Sequence, residues 1–245
     1  MYRGKDTAVL CLSHELANQK FVMQEINTFF FDLDGTLVDS VPDLATALNQ
    51  TLNDYQLPTY NEQTIRHWVG NGARVLVERG LSGNAKIRHH YTSNEIDAAL
   101  EKFLFYYRTL ETKSTVLYDG VFSTLHALKE QGFTLALITN KPSEFIEPIL
   151  SSFSIFSLFS LTIGGDSLPE KKPSSLPLLH ACEKLGVSPS QCVMVGDSKN
   201  DIVAAKAANI KSIGLTYGYN YGESIAKYKP NWVFDDFEEI LTFAS

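Results

Sequence analysis

Thr28-Phe29-Phe30-Phe31 runs straight into Asp32-Leu33-Asp34-Gly35-Thr36, and this stretch decides the fold class. A short, wholly apolar run without alternation is the mark of a strand buried on both faces of a parallel sheet. The same form returns at 133–138 before Thr139-Asn140 and at 192–195 before Gly196-Asp197-Ser198. A weaker copy is 161–163 before Gly164-Gly165-Asp166, and 212–215 reads as a further strand. Helical patterns fall between them at 121–131, 142–152, 175–185 and 199–208. Strand–helix alternation of this kind predicts an α/β fold with a Rossmann-like, doubly wound parallel sheet. Ligands of such sheets bind at the carboxyl ends of the strands, where the Asp-rich segments fall.

One stretch breaks the alternation. From about residue 40 to 113 only helical patterns occur, at 44–52, 62–69, 73–79 and 95–110, the last with Ile96, Leu100, Phe103, Leu104 and Tyr107 as a packing face. The expected organisation is an extension over 1–23, a sheet domain from 24–39 and 114–245, and a helical insertion over 40–113.

Composition sets the outer limits. The chain has 245 residues, 44% hydrophobic and 20% charged, which is ordinary globular material and excludes disorder or coiled coil as a global description. A net charge of −7 argues against nucleic-acid and anionic-membrane partners. Cys11, Cys182 and Cys192 are too few and too dispersed for a disulfide framework or zinc site, so reduced thiols in the cytoplasm are expected. The apolar stretch near the start is too short for a signal-peptide core, and no run is long enough to span a membrane.

The strand ends carry the candidate chemistry. Asp32 and Asp34 at one strand end repel each other, which implies a bound cation or a shared proton; the plainer alternative is turn capping. Thr139 and Asn140 offer a hydroxyl and backbone N–H groups to an oxyanion, though Thr-Asn is also common turn chemistry. Lys171 and Lys172 precede Pro173 and by themselves read as loop charges. Asp197 and Asp201, four apart, can face one pocket or can simply cap a helix.

The ordered set Asp32-x-Asp34-Gly35-Thr36, Thr139-Asn140, Lys172-Pro173 and Gly196-Asp197-x-x-x-Asp201 resembles the signature of the haloacid dehalogenase superfamily of phosphohydrolases, over nearly the whole chain from residue 24. That resemblance implies Asp32 as nucleophile forming an aspartyl-phosphate and Asp34 as general acid and then base. It implies Mg2+ held by the Asp32 carboxylate, the Asp34 carbonyl and Asp197, with Asp201 in support. Thr139, the Asn140 backbone and Lys172 would hold the phosphoryl oxygens and offset their charge. Dehalogenating relatives lack the second aspartate, so Asp34 points to phosphate chemistry. The insertion looks like a small α-helical cap closing over a small phosphorylated metabolite. Its segment Trp68-Val69-Gly70-Asn71-Gly72-Ala73-Arg74 through Leu81 resembles the bacterial branch that hydrolyses 2-phosphoglycolate, with Gly70, Asn71 and Gly72 as a substrate loop.

Ser174-Ser175 departs from the His-Pro pair common after the lysine in relatives. His89-His90 lack nearby metal partners, and Arg74 and Arg79 read as solvated helix charges rather than anion hooks. Other small phosphate esters, a phosphomutase and a non-catalytic phospho-acceptor are the rival readings.

Overall fold

The computed structural model describes residues 26–87, 91–110 and 112–244. The expected extension over 1–23, Cys11 and the His89-His90 pair lie outside the described residues. In chain order the elements are β1 (Thr28–Phe31), β2 (Val38–Asp39), α1 (Val41–Asp54), α2 (Glu62–Arg66), α3 (Ala73–Ser82) and α4 (Ser93–Thr109). There follow β3 (Val116–Leu117), α5 (Val121–Glu130), β4 (Thr134–Ile138), α6 (Ile146–Ser152), β5 (Leu161–Ile163) and α7 (Leu176–Leu185). The chain closes with β6 (Cys192–Gly196), α8 (Lys199–Ala207), β7 (Lys211–Leu215) and β8 (Trp232–Phe234).

Six strands form one parallel sheet in the order β5-β4-β1-β6-β7-β8. β1 is the switch point, with β4 on one side and β6 on the other, so the carboxyl ends of these three strands open a shared crevice. The apolar run of β1 is buried on both faces. Phe29 and Phe31 enter the larger core cluster, and Phe30 points into the other with Ala136 and Met194, its neighbours in register on β4 and β6. Phe30→Ala is expected to cost about 3–5 kcal/mol, because it leaves a large cavity among close-packed strands. Urea denaturation measures this, and a loss under 1 kcal/mol would contradict the packing.

The helices α1 to α4 leave and rejoin the sheet through β2 and β3, a two-residue antiparallel pair with Val38 opposite Leu117 and Asp39 opposite Val116. α1 carries Pro42 in its first turn and buries Val41, Leu44, Ala45, Leu48 and Leu52 along one stripe. α4 starts at a capping box of Thr92 and Glu95 and buries Ile96, Ala99, Phe103 and Tyr107.

Three details differ from the sequence reading. The helix expected from Pro142 begins as a 3-10 turn at Ser143–Phe145 and becomes α-helical only at Ile146. Pro148 explains this, because a proline fits an α-helix only in its first turn. β8, a three-residue edge strand, is too short to show a pattern. Cys182 and Cys192 are brought together, their sulfurs 3.8 Å apart, as buried free thiols.

Candidate active site

Asp32 follows the last residue of β1, Thr139 follows β4 and Asp197 follows β6, so adjacent strand ends deliver all three to one edge. Asp197 is fixed by two donors: Thr36 Oγ1 at 2.7 Å to one carboxylate oxygen and the Tyr219 backbone N–H at 2.6 Å to the other. Gly35, at φ +88°, lies so close that a Cβ there would collide with the Asp197 carboxylate.

Lys172 is fully buried. It donates to the Ile138 carbonyl and to Asp201 Oδ1, both at 2.6 Å, and stands 3.0 Å from Asp32 Oδ1. Asp201 therefore serves twice, because its other oxygen accepts from the Ser198 backbone N–H and hydroxyl at the start of α8. Lys171, the alternative register, points elsewhere and donates to the Asn71 carbonyl at 2.8 Å. Ser174, in the departure from the His-Pro pattern, accepts from the Leu176 backbone N–H and supports the start of α7.

Asp32, Asp197 and Asp201 each place a carboxylate oxygen within 4.8 Å of the others. Burial pushes Asp197 up to about 8, with Asp201 and Asp32 adding repulsion. Burial likewise lifts Asp32 to about 6, against the pull of Lys172. Asp32 Oδ1 is buried without a well-aligned hydrogen bond. Three desolvated carboxylates with one ammonium among them leave negative charge uncompensated, and such hard oxygen donors fit a metal ion.

Asp34 turns away from this cluster. Its Oδ1 accepts from the Ser40 hydroxyl at 2.5 Å and from Lys141 Nζ at 2.9 Å, and Oδ2 lies 3.2 Å from the same ammonium. Burial works against the Lys141 charge, but the Asp34 carboxylate outweighs it and holds the ammonium above its ordinary range. Lys141 also lies 4.7 Å from the centre of the Tyr107 ring, contributed by α4. Burial pushes the Tyr107 phenol up to about 12.

The loop Gly70-Asn71-Gly72 is pinned against the sheet domain. The Gly70 carbonyl accepts from the side-chain amides of Asn140 and Asn200, each at 3.0 Å. Asn71 Oδ1 accepts from the Tyr221 hydroxyl at 2.9 Å and from Arg79 at 3.0 Å. Gly70, at φ +114°, has no room for a Cβ beside the Tyr221 hydroxyl. Arg79 is thus not a solvated charge: it also donates to the Trp68 carbonyl and stacks 5.5 Å from the Tyr221 ring. Arg74 pairs with Glu78 and Asp97 on the exposed side of α3. Asn140 spends its side-chain amide on Gly70 and on the Lys172 carbonyl at 2.9 Å, joining loop, lysine and strand end.

The sequence reading missed Lys141, Tyr107, Asn200, Tyr219 and Tyr221. Lys141 directly follows Thr139-Asn140, and Tyr219 and Tyr221 follow β7, so each lies past a strand's carboxyl end, where this architecture places ligands.

The parallel sheet, the β1 switch point and the carboxylates at its edge define an α/β enzyme with a helical insertion over the strand ends. The family model for haloacid dehalogenase-like hydrolases matches residues 29–215. The phosphoglycolate phosphatase of Colwellia psychrerythraea is 56% identical over 219 residues, 89% of this chain and 97% of that protein. That of Pasteurella multocida is 46% identical over 221 residues, covering 90% and 99%. The crystal structure of a predicted phosphoglycolate phosphatase from Haemophilus somnus superimposes with a TM-score of 0.85 at 45% identity, covering 90% of this chain and 99% of that one. The chain belongs to the haloacid dehalogenase-like hydrolase family, and it is a hydrolase. Among the described residues, no helix is long and apolar enough to cross a membrane.

Proposed function

We propose that the protein is a Mg2+-dependent phosphomonoesterase that converts 2-phosphoglycolate to glycolate and phosphate. The observation that carries this reading is the meeting of Asp32, Thr139, Lys172 and Asp197 at one sheet edge. The names of the relatives at 46–56% identity supply the substrate.

In this reading Asp32 attacks phosphorus and the ester oxygen leaves on the opposite side. Asp34 gives that oxygen its proton and then takes one from the water that cleaves the aspartyl-phosphate. Thr139, the Asn140 backbone and Lys172 hold the phosphoryl oxygens, and Lys172 offsets charge as nucleophile and phosphate approach. Asp32, Asp197, Asp201 and the Asp34 carbonyl would hold Mg2+, which would neutralise charge on the transferring group. Residues 40–113 act as the cap over a core of 24–39 and 114–245, and the Gly70-Asn71-Gly72 loop seals it. The free thiols Cys182 and Cys192 support a reducing compartment, the cytoplasm.

A panel of phosphate esters assayed with Mg2+ tests the substrate. The expected result is a kcat/KM for 2-phosphoglycolate at least roughly tenfold above that for sugar phosphates and pyrophosphate, equivalent to about 1.4 kcal/mol of transition-state discrimination. Equal rates across the panel would overturn the substrate assignment and leave the hydrolase.

A further inference from the structure

The helical insertion and the sheet edge line a partly open chamber, bounded below by Asp32, Asp34 and Thr139. Its upper wall is apolar, with Leu76, Phe103, Leu104 and Phe145. Lys141 is the one cation among the described residues that line it. Tyr107 lines it too, and its buried hydroxyl faces the Lys141 ammonium but makes no well-aligned hydrogen bond. An apolar wall that holds one buried ammonium and, beside it, one hydroxyl without a well-aligned hydrogen bond is built to receive an anionic group.

We propose that Lys141 and Tyr107 form the subsite that binds the substrate's carboxylate, and that they select esters whose anionic group lies beside the ester oxygen. The inference rests on the phosphomonoesterase reading of Asp32 and Asp34.

The spacing supports it. The Lys141 ammonium stands one hydrogen bond, 2.9 Å, from the carboxylate of Asp34, the group that must reach the ester oxygen. In 2-phosphoglycolate the carboxyl carbon is separated from that oxygen by a single methylene. A carboxylate so placed falls beside Lys141 whenever the ester oxygen falls beside Asp34. It takes the ammonium from Asp34 and accepts the Tyr107 O–H, so both groups are satisfied in the complex. A longer acid carries its carboxylate past Lys141 into the apolar wall. An alkyl phosphate leaves the Tyr107 hydroxyl unmet, and sites built to bond a polar group discriminate strongly against analogues lacking it.

The test compares kcat/KM on 2-phosphoglycolate and ethyl phosphate, which keeps the ester and replaces the carboxylate with a methyl group. Tyr107→Phe removes only the hydroxyl and is expected to lower the rate on 2-phosphoglycolate about tenfold while changing ethyl phosphate less than about twofold. Lys141→Met also removes the partner of Asp34, so the ratio of the two substrates is its readout. That ratio is expected to fall about 100-fold. If both variants fold, by circular dichroism, and keep the wild-type ratio, the subsite is overturned and the hydrolase reading stands. If the wild-type enzyme hydrolyses both esters equally well, the 2-phosphoglycolate assignment falls, and the subsite with it. Should Lys141→Met fail to fold, Tyr107→Phe decides alone.

Discussion

Asp32→Asn is expected to lower hydrolysis of 2-phosphoglycolate by roughly 10³-fold or more, as removal of a covalent nucleophile does elsewhere. Folding should survive, for a reason visible in the site. Lys172 keeps Asp201 as its partner at 2.6 Å and the Ile138 carbonyl at the same distance, so no buried charge is orphaned. The Asp32 carboxylate is itself a desolvated charge, and the amide has its shape without its desolvation cost. A thermal melt within a few degrees of wild type together with lost turnover is therefore the combination to look for. Hydrolysis within tenfold of wild type would remove Asp32 from the nucleophile's role.

Chelation with EDTA is expected to abolish turnover, and added Mg2+ to restore it. Asp32, Asp197 and Asp201 carry up to three negative charges within 4.8 Å, and Lys172 offsets one. The sign of the pH effect on the metal-free protein follows. Asp197 and Asp32 titrate near 8 and 6 in the folded chain, above the carboxylate range of an unfolded one. Between those ranges the folded state binds more protons than the unfolded state, so the metal-free protein loses stability as pH rises from about 4 to 8. A cation competes with those protons, so stabilisation by Mg2+, read as a rise in melting temperature, should grow from pH 5 to pH 8. Full activity in EDTA, or a rise in melting temperature that shrinks with pH, would exclude the carboxylate cluster as the cation's seat.

The sheet was readable because its strands are buried on both faces: Phe29-Phe30-Phe31 leaves no alternation to confuse it with a surface strand. Asp32, Asp197 and Asp201 were readable because each follows such a run within a few residues. What escaped was whatever depends on a side chain crossing between the helical insertion and the sheet. Lys141 looks like any turn lysine until Asp34 and Tyr107 are placed around it. Arg79 looks like a helix-surface charge until Tyr221, 142 positions later, is laid against it. The Cys182–Cys192 contact was hidden the same way, since it needs a helix and a strand to stack. Sequence order carries the motifs, but it does not carry the contacts that join one layer to another.

The pinned Gly70-Asn71-Gly72 loop sets a toll on arrival. Gly70 and Gly72 line the chamber beside Asp32 and Asp34, so in the proposed reading an ester that arrives past the loop enters only when the loop lifts. Lifting it breaks the bonds from Asn140, Asn200, Tyr221 and Lys171. At about 1 kcal/mol net for each hydrogen bond, the receptive conformation is a minority on the order of 1% or less. Apparent affinity is weakened by that fraction, and the same bonds reform over whatever has entered. In the proposed reading the loop thus trades tight capture of dilute ester for a reaction shielded from bulk water, which suits an enzyme whose covalent intermediate must wait for one chosen water molecule.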